Sequence, residues 1–146
     1  MKKINYGKKI INPWFKSIID IENQYDGLVL IGKSMGTSVI RRCLKETKIN
    51  KKAICILITP GSEWKEISSE LMDSEIKTLV IASKEDSYYA QGNNEGLKIK
   101  KNIDVFELEK GDHSLEINNI ELDIDNLKRV IIREKEFIKS NIIEFG

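Results

Sequence analysis

A serine, an aspartate and the single histidine of this chain are placed where together they could activate a hydroxyl group. Ser34 lies between two glycines, Gly32 and Gly36, whereas Asp86 and His113 each follow a later apolar run. Histidine can take the proton of a serine hydroxyl that attacks a carbonyl carbon, and a carboxylate can orient the imidazole. The chain order serine, acid, histidine is the order in which an open α/β sheet supplies such a set. We therefore interpret Ser34, Asp86 and His113 as a candidate triad for acyl transfer, more specific together than any one of them alone.

The turn around Ser34 is predicted to be sharp. The apolar run Leu28–Ile31 leads into it, and an amphipathic helical pattern follows. Side chains at Gly32 and Gly36 would meet the adjoining strand and helix, so we expect glycine to be required at both positions. Such a turn raises the serine hydroxyl above the sheet and places the Met35 amide at a helix N-terminus, where it can stabilise a developing oxyanion. The alternative is a tight strand-to-helix turn with an incidental serine.

The acid and the histidine are weak signals when each is taken singly. Glu85 and Asp86 follow the run Leu79–Ala82, and either carboxylate could orient an imidazole; a surface turn is the alternative for this isolated pair. His113 follows the run Ile103–Leu108. Sites in open α/β sheets form beyond the carboxyl ends of the strands, and these residues all fall there.

Short apolar runs alternate with helical patterns along the chain, which favours an α/β fold with a parallel sheet. Three runs are apolar on both faces, as expected of strands covered on both sides, and the fourth alternates with charged residues and is expected nearer an edge. The predicted strands are Leu28–Ile31, Ala53–Ile58, Leu79–Ala82 and Ile103–Leu108. Helices are predicted to begin at Asn12-Pro13, directly after the Ser34 turn, at Trp64 (ending at Met72) and near Asp125. The sequence thus predicts one domain, residues 1–146, with three α/β/α layers around a mostly parallel sheet.

Composition limits the classes of function. The net charge is +1 and the lysines are spread out, so we expect neither a nucleic-acid nor a membrane partner. No apolar run is long enough to span a bilayer and the N-terminus lacks a signal-peptide pattern, which favours the cytoplasm. Cys43 and Cys55 fall in apolar patterns typical of buried thiols in a reducing compartment. Two cysteines and one histidine cannot assemble a zinc-type cluster, and we expect no metal and no cofactor.

Three segments resemble the α/β-hydrolase family, most closely its small, lidless branch related to dienelactone-hydrolase-like proteins. These segments are LVLIGKSMGT, LVIASKEDSYY and FELEKGDHSLE, and a closing amphipathic helix follows them. The resemblance implies an acyl hydrolase with Ser34, Asp86 and His113 as its triad. Its substrate would be a small ester or thioester, cleaved through an acyl-enzyme on Ser34. The resemblance also favours Asp86 over Glu85, because the family's acid usually precedes a short stretch that contains proline or tyrosine.

The sequence departs from the family before the Ser34 turn. Relatives carry further strands there, and one of them ends in a glycine-rich loop that supplies a second oxyanion amide; residues 1–26 contain no such loop. Lys3–Lys8 resembles the strand that follows this loop, so the resemblance implies a truncated or divergent member with Met35 as the one oxyanion donor identified. Loss of one donor typically lowers the rate by about 10²–10³-fold. A missing central strand would also leave an unpaired sheet edge, which a homodimer or a rearranged first strand could cover.

Three side chains near the predicted site are candidates for contact with a substrate. Lys33 beside Ser34 could favour an anionic substrate, Trp64 could form one wall of an open pocket, and Tyr88 could contact the substrate. The alternatives are partial exposure without a specific role for Lys33 and packing in the core for Trp64 and Tyr88.

Two other functions are compatible with parts of the sequence. A non-catalytic relative could keep the turn as a ligand-binding or interaction module, since fold does not fix function. Gly32-Lys33-Ser34 also resembles the end of a phosphate-binding loop. The preceding Leu28–Ile31 is apolar and strand-like, however, whereas such a loop must expose its backbone amides. The acyl hydrolase therefore stays the first hypothesis.

Overall fold

The computed structural model describes residues 24–46 and 53–142, together with Ser17, Asp20 and Ile21. Within these residues, strands alternate with helices. The strands are β1 (Leu28–Ser34), β2 (Ala53–Pro60), β3 (Lys77–Ser83) and β4 (Ile103–Leu108). The helices are α1 (Met35–Glu46), α2 (Trp64–Asp73), α3 (Asn94–Lys98) and α4 (Ile120–Ile142), and a short 3₁₀ helix covers Tyr89–Gln91. The helix expected from Asn12-Pro13 and the strand suggested for Lys3–Lys8 lie outside the described residues.

The strands form one parallel sheet in the order β1-β2-β3-β4. Each strand pairs with the next one in the chain, as the partners Leu30 and Cys55 and the partners Ile56 and Leu79 illustrate. Because the strands are parallel, their carboxyl ends all meet at one edge of the sheet, where the loops after β1, β3 and β4 come together. The predicted parallel α/β sheet is confirmed.

Helices cover both faces of the sheet, because alternate residues of a strand point to opposite sides. One cluster of buried side chains joins β2 and β3 to α1, α2 and α3: Ile40, Cys55, Leu57, Ile67, Leu71, Val80, Ala82 and Leu97. A second cluster joins the intervening residues of the same strands to α4: Ile54, Ile56, Leu79, Ile81, Val130 and Phe137. The three-layer α/β/α architecture follows from this alternation, and the predicted fold class is confirmed.

The two outer strands differ from the central pair in burial. β4 lies at the end of the strand order, as its alternating pattern predicted. β1 lies at the other end, and the expectation that it is covered on both faces is wrong, since Ile31 is 54% exposed and Leu28–Leu30 are only half-buried. Among the described residues β1 has a strand neighbour on one side alone, which explains this exposure.

The last helix begins earlier than the sequence suggested. It starts at Ile120 and not near Asp125, because the Asn119 side chain accepts a hydrogen bond from the Leu122 amide and so caps the first turn. Its buried positions are Asn126, Val130, Phe137 and Asn141. None of the helices in the described ranges is long and apolar enough to cross a membrane.

Candidate active site

Ser34 stands on a strained backbone at the junction of β1 and α1. It is the last residue of the strand, and Met35 is the first residue of the helix. Its φ of 51° lies in the left-handed region, which is unfavourable for any residue with a Cβ and is concentrated at functional sites. The Thr37 hydroxyl donates a hydrogen bond of 2.6 Å to the Ser34 carbonyl and so supports the turn from the helix side. The chain therefore presents the half-buried serine at the carboxyl edge of the sheet.

The two glycines of the turn are not equivalent. A Cβ on Gly32 would lie 2.7 Å from the backbone of Gly36 and 2.7 Å from Cδ1 of Ile40, so glycine is required where the strand passes this close to the helix. A Cβ on Gly36 would meet nothing within 4 Å among the described residues. The expectation that both positions exclude a side chain is wrong for Gly36, because only its backbone takes part in the close approach.

The strand beside Ser34 is irregular at the same level. The pairing between β1 and β2 shifts between Lys33 and Ser34, so that Ser34 lies opposite Pro60. Thr59, the residue skipped by this shift, has a φ of 41° and is fully buried. β-branched residues rarely adopt this conformation. Backbone strain is thus concentrated at the neighbouring ends of β1 and β2.

Asp86 and His113 reach Ser34 from two other strand ends. Asp86 lies in the turn after β3, and His113 lies in the loop after β4. The His113 Nε2 is 2.8 Å from the Ser34 Oγ, and the His113 Nδ1 is 2.8 Å from the Asp86 Oδ2. The structure therefore brings the three residues selected from the sequence into one continuous chain of hydrogen bonds.

The environment of Asp86 defines which way the imidazole is oriented. The Asp86 side chain is 1% exposed, and its other oxygen, Oδ1, accepts a hydrogen bond from the Tyr88 amide. A carboxylate only accepts hydrogen bonds, so the Nδ1 of His113 must donate to it. The Nε2 then carries no proton in the neutral ring and can accept the Ser34 hydroxyl proton. This arrangement is the one that general-base activation of a serine requires.

Glu85, the other member of the acidic pair, has a different contact. Its carboxylate accepts a hydrogen bond of 3.2 Å from the Gly111 amide. Gly111 lies near the start of the loop that carries His113, residues 110–116, which we call the histidine loop. Gly111 has a φ of 139°, which only glycine adopts readily. Asp86 therefore contacts the imidazole, while Glu85 contacts the backbone that leads to it. The sequence did not reveal this second contact.

The three pocket candidates lie in different surroundings. Trp64 is fully buried in the core, where it stacks on Tyr89 with a centroid distance of 5.9 Å, so it cannot wall an open pocket. Tyr88 is 40% exposed, and its ring packs against the His113 ring with a centroid distance of 5.1 Å and an interplanar angle of 73°. The exposed Lys33 lines a groove of about 470 Å³ between the sheet and α4. Tyr88 is thus the candidate in direct contact with the hydrogen-bonded chain.

The Met35 amide is the first of α1, where helix geometry leaves the N–H groups without partners inside the helix. Gly61 keeps space beside it, since a Cβ on Gly61 would lie 3.9 Å from the Met35 nitrogen. The described residues contain no cluster of three or more histidine, cysteine or acidic side chains that could hold a metal ion.

Comparison with a family model identifies the class of protein. Residues 3–139 match the model of an alpha/beta hydrolase domain, which is most of the chain. The protein belongs to the α/β-hydrolase family, and the resemblance seen in the sequence is confirmed. The strand that leads into α1 also excludes the phosphate-loop interpretation, because Leu28–Ile31 is part of β1 and cannot wrap a phosphate.

A solved structure is similar in fold. It is the crystal structure, at 1.45 Å resolution, of a predicted CIB-like hydrolase from Thermoplasma acidophilum, with a TM-score of 0.52 and 19% sequence identity. The likeness covers 77% of this chain and 57% of that protein, so the aligned region spans little more than half of its length. No curated protein matches the chain. The family supports hydrolytic activity and the neighbour shows the same fold, and the type of hydrolase is left to the site itself.

Proposed function

We propose that this protein is a serine hydrolase that cleaves a small ester or thioester through an acyl-enzyme on Ser34. The observation that carries the proposal is the unbroken chain Ser34 Oγ, His113 Nε2, His113 Nδ1, Asp86 Oδ2, with 2.8 Å at each hydrogen bond. The strained backbone at Ser34 adds a second line of support, because such strain persists where function requires it.

The first half of the reaction acylates the serine. The Ser34 Oγ forms a bond to the carbonyl carbon of the substrate as the His113 Nε2 takes the hydroxyl proton. The carbonyl electron pair moves onto oxygen, and the Met35 amide at the N-terminus of α1 is placed to donate a hydrogen bond to that oxyanion. Asp86 accepts from Nδ1 throughout and stabilises the imidazolium. When the carbonyl re-forms, the bond to the leaving alcohol or thiol breaks, and Nε2 returns its proton to that group.

The second half of the reaction releases the acid. A water molecule takes the place of the leaving group, the His113 Nε2 removes its proton, and its oxygen attacks the acyl carbon. The bond to Ser34 Oγ then breaks, and the serine regains its proton from Nε2. The His113 side chain is 32% exposed, which allows water to reach it.

A fluorophosphonate probe tests the proposal directly, because it phosphonylates only a serine that a base has activated. We expect the wild-type protein to gain one adduct by intact mass and Ser34→Ala to gain none. Ser114→Ala is the matched control, since Ser114 is an exposed serine directly beside His113. It should label like the wild type. A panel of short esters and thioesters would then define the acyl and leaving groups.

Absence of labelling in a folded wild-type protein would contradict the proposal. It would favour the alternative in which the fold serves as a ligand-binding or interaction module. The same result in the presence of intact hydrogen bonds at His113 would indicate that stabilisation of the oxyanion is insufficient.

A further inference from the structure

The histidine loop must reach across the sheet because of the strand order. β4, which precedes the loop, is separated from β1, which carries Ser34, by β2 and β3. With strands about 4.8 Å apart, this is a span of about 14 Å across the top of the sheet. β4 ends at Leu108, and His113 must meet both Asp86 and Ser34 from there. Small displacements of the loop would therefore separate the imidazole from the serine.

The backbone of the histidine loop has unfavourable dihedral angles that surrounding contacts must stabilise. Gly111 and Leu115, on either side of Asp112–Ser114, have φ values of 139° and 72°. A left-handed conformation is unfavourable for leucine and persists where the surrounding contacts impose it. Leu115 is also buried, with 8% of its surface exposed, so the end of the loop is anchored in the core.

Asn126 is the side chain that closes the loop. It lies on the buried face of α4, with 8% of its surface exposed. Its Nδ2 donates to the Lys110 carbonyl at 3.3 Å and to the Leu115 carbonyl at 3.0 Å. Both protons of one amide group are thereby used to join the two ends of the segment that carries His113. An isolated buried asparagine on the apolar face of a helix is otherwise disfavoured.

Asp112 stabilises the same loop through hydrogen bonds from two loop amides. Its Oδ1 accepts hydrogen bonds from the Ser114 amide at 2.7 Å and from the Glu116 amide at 3.1 Å. Hydrogen bonds from the Glu116 and Ser114 amides lower the pKa of the Asp112 carboxyl, which keeps it in the acceptor form. The Asp112 side chain points to solvent, so its contribution can be removed without opening the core.

We infer that Asn126 and Asp112 are positioning residues that hold His113 within reach of Ser34 by fixing the loop of residues 110–116. The inference rests on the proposed function for its effect on rate. Its structural half, that these side chains set the position of the imidazole, is independent of that function.

The chain supplies a matched control on the same helix. Asn141 is also a buried asparagine of α4, but its Nδ2 donates within the helix to the Phe137 carbonyl. Asn126→Leu and Asn141→Leu therefore both remove a buried amide from α4, and only the first releases the histidine loop. We expect Asn126→Leu to label with the fluorophosphonate about 10–100-fold more slowly than the wild type, whereas Asn141→Leu labels at the wild-type rate.

An NMR measurement detects the position of the His113 imidazole without requiring catalytic activity. His113 is the only histidine in the chain, so its imidazole gives a single set of NMR resonances. In the wild type we expect a strongly downfield Nδ1–H proton, as its hydrogen bond to Asp86 requires. This resonance should be lost or moved upfield in Asn126→Leu and unchanged in Asn141→Leu.

Two Asp112 variants test the positioning of His113 even if Asn126→Leu does not fold. Asp112→Ala removes the acceptor of two loop amides and should slow labelling and disturb the His113 resonance. Asp112→Asn keeps the Oδ1 acceptor and should restore both.

The outcomes separate the two proposals. If the wild type does not label, the serine hydrolase proposal fails, and the His113 resonance still decides the positioning role. If the wild type labels but Asn126→Leu matches Asn141→Leu in rate and resonance, or Asp112→Ala matches the wild type in both, the positioning role is overturned.

Discussion

Two hydrogen-bonded networks lie in this domain, one at the carboxyl edge of the sheet and one largely covered by helices. The first joins Ser34, His113 and Asp86 at the carboxyl edge of the sheet. The second, which we call the tryptophan network, runs through the core beside α2 and α3. Its members are Trp64, Tyr89, Asn94, Lys98 and Glu107.

The tryptophan network is closed off from solvent at its aromatic end. The Trp64 Nε1 donates to the Asn94 Oδ1 at 2.8 Å, and the Tyr89 hydroxyl donates to the Glu107 Oε1 at 2.8 Å. Trp64 and Tyr89 are 0% and 2% exposed. Burial, together with the Glu107 carboxylate, raises the pKa of the Tyr89 hydroxyl far above its ordinary value. Each polar group finds a partner, and none of the aromatic groups can meet a substrate.

The networks differ in residue types, in accessibility and in backbone strain. Both contain a buried or half-buried carboxylate, Asp86 in the first and Glu107 in the second. Only the first begins at a half-buried hydroxyl-bearing residue with a left-handed backbone, Ser34. On the proposed function, a polar network of this domain supports chemistry at the carboxyl edge of the sheet, whereas a network covered by helices contributes stability.

The sharpest test of this contrast removes the acid of the first network. Asp86→Asn should lower the rate of labelling and of ester hydrolysis by about 10⁴-fold, because an amide can donate to Nδ1 and so favours the wrong tautomer. Glu85→Gln is the control, since Glu85 contacts the Gly111 amide and not the imidazole. Equal losses in the two variants would show that the acids act only by holding the loop.

The largest effect on stability is expected in the tryptophan network. Trp64→Ala should lower the free energy of unfolding by about 3–5 kcal/mol, since it leaves a cavity in the core and an unpaired Asn94 oxygen. Tyr88→Ala is its counterpart at the site and should change stability by less than about 0.5 kcal/mol while altering the labelling rate. Urea unfolding and labelling of both variants give the comparison. The distinction between the networks fails if Tyr88→Ala is the more destabilising change.

Substitutions at the two glycines of the Ser34 turn should change the free energy of unfolding by intermediate amounts and in opposite directions. Gly32→Ala should cost about 1–3 kcal/mol in unfolding free energy and slow labelling, because its Cβ would overlap the Gly36 backbone and displace the turn. Gly36→Ala should stabilise α1 by up to about 1 kcal/mol, since alanine loses less conformational freedom in a helix. Thermal unfolding of both variants checks the signs. A stable Gly32→Ala with wild-type labelling would disprove the close approach.

Loss of a single hydroxyl of the tryptophan network should have a smaller effect than loss of Trp64. Tyr89→Phe should lower the unfolding free energy by about 1–2 kcal/mol, because Glu107 loses one donor and keeps Lys98 at 3.0 Å. Labelling of Ser34 should be unchanged. A change in labelling would instead show that the two networks are coupled through β4, which carries Glu107 just ahead of the histidine loop.

Local pattern was sufficient to predict the sheet and the residues at its carboxyl edge. Uninterrupted apolar runs such as Ala53–Ile58 have few alternatives to a covered parallel strand, and the residues after such strands must lie at one edge. Those two rules predict that Ser34, His113 and the acidic pair Glu85-Asp86 share one edge, and the family resemblance favours Asp86 within the pair.

What the sequence could not supply depends on contacts between distant segments. Trp64 and Tyr88 are both aromatic residues near strand ends, and only the packing of Tyr89 and α3 around Trp64 distinguishes a core residue from one at the site. The start of α4 depends instead on a local contact: the alternating pattern of residues 120–125 resembles a strand, and the Asn119 side chain caps the first helical turn through the Leu122 amide. Asn126 left a readable signal, since it is a polar residue on the stripe of α4 that also carries Val130 and Phe137.

The strand order also has a consequence for how the protein is made. Neighbouring strands follow one another in the chain, so a nascent polypeptide can add β1, β2 and β3 to the sheet in the order of their synthesis. The hydrogen bond between Ser34 and His113 joins residues 79 positions apart, and the loop that carries His113 is closed by a side chain of α4. We expect the serine to remain inert during translation and to become reactive only when the final helix has docked.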